Sequence, residues 1–488
     1  MIKQFFMYKF KSEDRVCEIM RRVLQLFFAI LLVNFVSSCE TAKQTVFQNT
    51  ISPSEFGLDS AKTDQERYWV LYKTHVEASR ARYSRVVYAG IDTIKIEIPE
   101  NAKTIPLTPE TDFCNVVLLV RNNAKNMTLF SMESTVEQCL IDNDIIEKRK
   151  KIEGRDEYIL IIEDENPWVN NRRGYNYGHK RKDIVYVKDG KVYGSVVSTY
   201  STQSSKPCYA KSFVENLKKS FKNIEFVRDS SCTYKTNLLS LVNQFNVEIA
   251  GVKIMTPTSK LYGDAAISLD NCYKVKIVDV SIDGTYSQED KYGYGITMNN
   301  VSDVEILNLI GHAKWGVFGN NNVNNTRLKD CDINRFDVHC YGRDVFFENC
   351  NFRNLYNQFS SMYGTVSFKK CEFYDFTPVL FESSYNAYTK FDLVFKNCIV
   401  HPDKNRCSLI YGGGLNGDRT TWRKELEVQE FPDLYIDGLK ILMPSDVDNY
   451  YIYSLKNKKI QWPQDNIPDI KKMQGFKYVQ KEYSQSTN

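Results

Sequence analysis

The chain has 488 residues, 42% hydrophobic and 25% charged, a globular balance with length for one large domain or two to three ordinary ones. Net charge is +4, but residues 1–38 hold six of the 64 Lys and Arg and three of the 60 Asp and Glu, so the remainder carries +1. A near-neutral body excludes general nucleic-acid binding, which needs a basic footprint.

At the N-terminus, Arg21-Arg22 precede the apolar run Val23–Val36, and Ser37-Ser38-Cys39 follow. A positive start, a short apolar stretch and small residues before a cut form a secretory signal, and the run is shorter than the roughly 18–20 residues of a membrane-spanning helix. Val36-Ser37-Ser38-Cys39 resembles the lipobox of bacterial lipoproteins. That resemblance implies lipidation of Cys39. With Glu40 rather than Asp after it, the resemblance also implies an outer-membrane destination, on the periplasmic side or the cell surface. An ordinary cleaved signal ending near Cys39 is the alternative, and Met20 is a second candidate start. Residues 40–60 then read as a polar tether.

Thr63-Asp64-Gln65-Glu66 fits a capping box, and Trp69, Tyr72, Val76 and Tyr83 follow at helical spacing, so a helix over 64–83 is expected with those residues on its apolar face. Strand-like runs come next at Thr93–Ile98, Asn115–Val120, Tyr158–Ile162 and Asp183–Val187, with a short helix expected over Phe213–Phe221. The segment Asn166–Lys182 mixes Trp168, Tyr175 and Tyr177 with Arg172, Arg173, Lys180, Arg181 and Lys182. Aromatic platforms beside basic groups suit an anionic sugar chain; a solvated loop is the plainer reading.

From Val247 the chain repeats an octet: VEIAGVKI, VKIVDVSI from Val275, VEILNLIG from Val304, TRLKDCDI from Thr326, VFFENCNF from Val345, VSFKKCEF from Val366, LVFKNCIV from Leu393 and LYIDGLKI from Leu434. The third slot is Ile, Leu or Phe. The fifth is Gly, Asp, Asn or Lys, and the sixth is Val, Leu or Cys. A repeat of this period is the mark of a solenoid, and the shortest units leave no room for a helix. The pattern resembles the right-handed parallel β-helix of the pectate-lyase-like superfamily. The resemblance implies an all-β solenoid over residues 91–445 behind an N-terminal α-helical cap at 61–90, with a polar tail at 446–488. Cys331, Cys350, Cys371 and Cys398 share the sixth slot, so they read as buried small hydrophobes, although stacked coils also bring such thiols within disulfide range. No C-x-x-C spacing occurs, and metal ligation is not expected.

Chemistry is expected around Asn334–Asp344, NRFDVHCYGRD. Read as a strand, it puts Phe336, Val338 and Cys340 on one face and Arg335, Asp337, His339, Tyr341 and Arg343 on the other, a row rich in proton carriers. Neighbouring coils add His312, Lys314 and Trp315 before it, and Asn357, Gln358 and Glu382 after it. Stacked coils lie about 4.8 Å apart, so such residues can converge on one face. Two mechanisms fit. β-Elimination from a uronic-acid polysaccharide takes Arg335 or Arg343 to neutralise the carboxylate, His339 as base and Tyr341 as acid. Inverting hydrolysis takes Asp337 and Glu382 as carboxylates about 6.5–9.5 Å apart. An adhesive or glycan-binding solenoid without turnover is a third reading, and a uronate epimerase a fourth. The motifs of the calcium-dependent lyases and of the polygalacturonase-type hydrolases do not stand intact: Gly311-His312-Ala313 only begins G-H-G. No catalytic residue carries over from the resemblance. Elimination is favoured, the partner being an anionic polysaccharide, with no cofactor expected apart from a possible calcium ion.

Overall fold

The computed structural model describes residues 50–80, 85–134, 137–141, 157–169, 179–189, 191–195, 208–212, 218–256, 265–284, 294–312, 315–339, 342–359, 362–382, 390–403, 408–413, 433–445 and 451–455. The signal segment and Cys39 lie outside them.

The eight octets stack slot for slot. Val247, Val275, Val304, Thr326, Val345, Val366, Leu393 and Leu434 are successive partners along one parallel ladder. Their third-slot side chains are buried, and Phe347, Phe368 and Phe395 form a continuous stack with centroids 4.8 and 5.1 Å apart. The fifth slot explains itself through the backbone. Gly251, Asp279, Asn308, Asp330, Asn349, Lys370, Asn397 and Gly438 all take left-handed φ values between 53° and 77°. Gly, Asn and Asp tolerate that region best, so the slot's composition records a turn. Side chains in these turns also bond between coils: Asn308 Nδ2 donates to Asp279 Oδ1 at 3.0 Å, and Asn349 Nδ2 to Asp330 Oδ1 at 2.6 Å.

Each turn directs the chain into a second parallel sheet, where seventh-slot residues pair from Lys253 to Lys440. A third sheet follows, in which Ser240, Ser268, Thr297, Gly319, Asp337, Gln358, Leu380 and Tyr411 pair in one row. Three parallel sheets wound around one apolar core make the molecule a right-handed parallel β-helix. Where the third sheet turns into the next coil, a buried ladder runs from Asn322 through Asn300 and Asn271 to Asn243, each Nδ2 donating to the preceding Oδ1 at 2.6–3.1 Å. Cys331, Cys350, Cys371 and Cys398 are free and buried in the sixth slot. Each thiol donates to a carbonyl of the preceding coil, as from Cys350 to Leu328 at 3.6 Å.

The helix Asp64–Arg80 closes the first coil. Its capping box is formed: Glu66 N–H donates to Thr63 Oγ1 at 3.1 Å, and Thr63 N–H to Glu66 Oε2 at 3.1 Å. The buried face is Tyr68, Leu71, His75 and Ala78, one residue round from the expected one, while Trp69 and Tyr72 pack at its edge. That rotation is possible because both polar tips find partners inside. His75 Nε2 meets the Tyr88 hydroxyl at 2.9 Å, and the Tyr68 hydroxyl donates to the Lys103 carbonyl.

The segment boundaries move. Thr50–Ile51 pair with Arg85–Val86, so part of the expected tether belongs to the folded body, and Tyr451–Leu455 extend the third sheet beyond 445. Lys219–Phe221, expected as helix, open the strand Lys219–Arg228. Within 91–445 the chain also leaves the helix after Glu133 and rejoins it at Lys219. Between them, Glu157–Val169, His179–Lys188 and Lys191–Tyr193 form an antiparallel sheet of their own. Tyr158–Ile162 and Asp183–Val187 are therefore strands of this sheet rather than coils. It docks through Ile159, Ile161 and Ile184 on Phe245 and Tyr273, which sit at the same turn as the buried asparagine ladder.

Candidate functional site

The strand Phe336–Val338 obeys the expected parity, but only over those three residues. Phe336 and Val338 point into the core and are fully buried. That strand ends at Val338, and Arg343 belongs to the next one, Gly342–Glu348, where its Nε lies 3.3 Å from Asp344 Oδ2. One strand face does not run from Arg335 to Arg343. Tyr341 and Lys314 lie outside the described residues.

The outward residues are not a solvated row either. Asp337 is 0% exposed and Arg335 1%. Arg335 Nε lies 2.6 Å from Asp337 Oδ1 and 2.5 Å from Oδ2, while its Nη2 donates to Gln358 Oε1 at 3.1 Å. Trp315 and Tyr356 face the guanidinium from two sides, with centroids 4.1 and 4.4 Å from Cζ. Aromatic faces offset part of the cost of desolvating a planar cation. Burial opposes the charge on Asp337, but the Arg335 guanidinium and the His339 contact outweigh it and hold the carboxyl below its usual range. For Arg335 burial opposes the charge, and Asp337 more than restores it.

Above this pair sits a residue that sequence reasoning missed. The Tyr294 hydroxyl donates to Asp337 Oδ2 at 2.8 Å and lies 2.7 Å from His339 Nε2. A phenol has one proton, so with that proton on Asp337 the imidazole Nε2–H donates to the phenol oxygen. His339 Nε2 is also 3.5 Å from Asp337 Oδ2. Burial, then the charge of Asp337, pushes the Tyr294 hydroxyl well above the ordinary phenol value, so it stays protonated.

Tyr294 reaches its partners across two coils because glycines clear its path. Gly319 is paired with Asp337 in the outward row, and a Cβ built on it would meet Tyr294 Cε2 at 2.6 Å. Gly316 lies under the ring in the same way, and a Cβ there would come 3.2 Å from Tyr294 Cε1. Since neighbouring coils are about 4.8 Å apart, a tyrosine is long enough to span the gap. We expect Gly319→Ala to lower the free energy of unfolding by about 1–3 kcal/mol through overpacking against this ring. Ser268→Ala, at a partly exposed position in the same row, should cost under about 0.5 kcal/mol. Denaturant titration of the two variants would compare them directly; equal costs would show that the ring does not fill that space.

The remaining candidates separate. His312 follows the second sheet and faces Asp332 Oδ1 at 3.3 Å, whereas His339 follows the third sheet. They are not equivalent, because Gly311 pairs with Ile333, placing His312 opposite Asn334 rather than His339. Asn357 and Gln358 are buried scaffold: Asn357 Oδ1 accepts the Phe336 N–H at 2.9 Å and its Nδ2 donates to the Pro378 carbonyl at 3.1 Å. Glu382 is in the third sheet, but the residue in register with Asp337 two coils on is Leu380. Asp337 is sealed from solvent and held ionised, so it can neither donate a proton nor touch a water-borne substrate. Asp337 therefore does not fit the role of a hydrolytic carboxylate, and the side chain of Glu382 lies outside what is described. Trp168 lies in the strand Glu157–Val169, with its side chain outside what is described, as are Tyr175, Arg172 and Arg173. Among the described residues, no three His, Cys, Asp and Glu side chains gather as metal ligands.

No family model matches the chain, and no curated protein matches it. Among solved structures it is similar to the tailspike protein gp49 from Pseudomonas phage LKA1, at 13% identity and a TM-score of 0.49 over 83% of this chain and 72% of that one. It is also similar to the Pseudomonas phage phi297 tailspike gp61, at 11% identity and a TM-score of 0.47 over 84% and 80%. A third is the endo-xylogalacturonan hydrolase from Aspergillus tubingensis, at 10% identity and a TM-score of 0.37 over 86% and 97%.

Proposed function

We propose that the chain is a carbohydrate-active protein that cleaves an acidic polysaccharide by β-elimination, working outside the cytoplasm on a lipid anchor at Cys39. The observation that carries the reaction is the hydrogen-bonded pair Tyr294–His339 over a buried, ionised Asp337. Elimination removes a proton from the carbon beside the carboxylate and breaks the bond to the oxygen on the next carbon. When both events occur on one face, base and acid must stand within a single hydrogen bond of each other, as these two do. His339, with a side chain 16% exposed, takes the carbon-bound proton. Tyr294, kept as the phenol, gives its proton to the departing sugar oxygen. The Nε2 proton of the imidazolium then passes to the phenolate through their shared bond, which restores the phenol and leaves a neutral imidazole carrying the substrate proton on Nδ1; exchange with solvent returns the starting tautomer. Asp337 orients both, while Arg343 on the adjoining strand is the candidate to meet the substrate carboxylate.

The anchor rests on the sequence Val36–Cys39 behind its apolar run. The reaction is tested by offering acidic and neutral polysaccharides to the purified protein, with and without calcium, and following ultraviolet absorbance and reducing ends together. Both signals should rise on a uronate polymer and both should fall about 10²–10⁴-fold in His339→Ala. Reducing ends without absorbance would mean hydrolysis and overturn the elimination, and neither signal on any polymer would overturn cleavage altogether.

A further inference from the structure

A recess lies where the antiparallel sheet meets the β-helix, and neither Tyr294 nor His339 lines it. It encloses about 320 Å³ and is lined by Glu157, Tyr186, Lys188, Tyr193, Phe245 and Tyr273, with Lys274 and Asp303 beside them. The four rings form a stair. Tyr186 stands 5.6 Å from Tyr193, 5.0 Å from Phe245 and 5.9 Å from Tyr273, and every interplanar angle among these pairs is between 25° and 36°. Phe245 and Tyr273 are themselves 22° apart. Phe245 and Tyr273 are buried beneath, and the upper steps are Tyr186, which is half-buried, and Tyr193, which at 46% exposed opens to solvent.

The polar groups stand around this platform. The Tyr186 hydroxyl donates to Glu157 Oε1, and Lys188 Nζ lies 3.7 Å from Glu157 Oε2. Asp303 Oδ1 accepts from Asn325 Nδ2 at 3.0 Å, leaving its second oxygen for another donor. Lys274 has a φ of +59°. Its partners along the same turn, Asn246, Asp303, Asn325 and Asp344, adopt the same left-handed backbone with φ between +48° and +59°. Those are residue types that tolerate it, and a lysine is not. Lys370 takes the same backbone at a fifth-slot turn, so the conformation by itself marks no site; what Lys274 adds is an ammonium group among the residues that line the recess.

From this geometry we infer that the recess is a binding subsite for an uncharged sugar ring, separate from the site of cleavage. A pyranose has an apolar C–H face that lies flat on an aromatic platform and a rim of hydroxyls that both donate and accept. The recess offers the matching arrangement, rings below and carboxylates and ammonium groups around. Two cations and two anions line it, so it has no net preference for a charged ligand. An anionic sugar therefore gains no net attraction there over a neutral one, in contrast with the substrate of the proposed elimination. The inference does not depend on that reaction, since it concerns retention without turnover.

The probe is a set of neutral hexose oligosaccharides, with oligouronates of equal length for comparison, titrated into the purified full-length protein. Saturation-transfer NMR reads contact with the sugar protons, and calorimetry reads affinity. Saturable binding of a neutral oligosaccharide is expected, weakened at least tenfold in Tyr193→Ala and unchanged in His339→Ala. Tyr193 is exposed, so its truncation leaves the fold in place; Lys274→Asn, which restores a residue suited to the turn, is the second variant and should also weaken binding. Binding lost in His339→Ala but kept in Tyr193→Ala would place the sugar at the cleavage site and overturn the inference. So would tighter binding of the oligouronates through Tyr193, or no binding of any neutral sugar. If the cleavage assay fails while neutral-sugar binding through Tyr193 holds, only the proposed reaction falls.

Discussion

Tyr294→Phe should abolish most polysaccharide cleavage while leaving the protein folded. The substitution removes one oxygen and keeps the ring that fills the space over Gly319. What disappears is the phenol proton donated to Asp337 Oδ2 at 2.8 Å and the oxygen that accepts from His339 Nε2 at 2.7 Å. General acid catalysis of this kind contributes about 10²–10⁴-fold, so kcat should fall by that factor. Substrate affinity should change far less, because the phenol contributes mainly where the leaving oxygen gains charge. Unfolding by denaturant should move little, since His339 and Asp337 remain in contact with each other and Asp337 keeps Arg335. A variant that retained full kcat would remove Tyr294 from the reaction and leave His339 without its acid.

Asp337→Ala is expected to produce the largest loss of stability. Arg335 is buried between Trp315 and Tyr356, and its charge is compensated inside the molecule chiefly by Asp337. Removing one partner of such a pair leaves an uncompensated charge, at a cost of about 3–5 kcal/mol. The Gln358 N–H, which donates to Asp337 Oδ1 at 3.2 Å, loses its acceptor as well. The double variant Asp337→Ala with Arg335→Met should recover a large part of the loss, because an apolar chain of similar length removes the stranded charge. The pH dependence has a definite sign. The folded-state carboxyl is depressed, so its contribution is fully present above the unfolded value, near 3.9, and is lost as pH falls through the folded value. The stability difference between wild type and Asp337→Ala should therefore hold from neutral pH to about 5 and narrow below about 4. Urea titrations at several pH values would measure it; a gap that widened on acidification would contradict the assignment of Asp337 as ionised.

The solenoid was legible because its slots are chemically distinct. A slot that alternates Gly, Asp and Asn marks left-handed turns, and every one of those residues has the positive φ that the composition implies. The ladder from Val247 to Leu434 follows from the same alignment. At the candidate site the strand parity held for Phe336, Asp337 and Val338 and then failed, because nothing in NRFDVHCYGRD announces that the strand ends at Val338. Tyr294 was out of reach for a different reason. It lies 45 residues before His339, and variable loop lengths between coils hide which residues face each other. The trace it left was a gap, namely Gly319 in an outward row whose preceding members are Ser268 and Thr297. Outward parity also hid burial: Asp337 and Arg335 were expected to reach substrate, yet the aromatic residues of the flanking coils close over them.

The slot-for-slot register of the octets makes the molecule a gauge whose length is set by counting. One more coil, inserted at a fifth-slot turn, would lengthen the rod by about 4.8 Å and leave every other neighbour relation unchanged. The described hydrogen bonds around the Tyr294–His339 pair reach as far as the coil containing Gln358, and the three octets from Val366 onward follow it. That stretch can be shortened or extended by whole coils, changing the reach of the rod past its chemistry without retuning the chemistry itself.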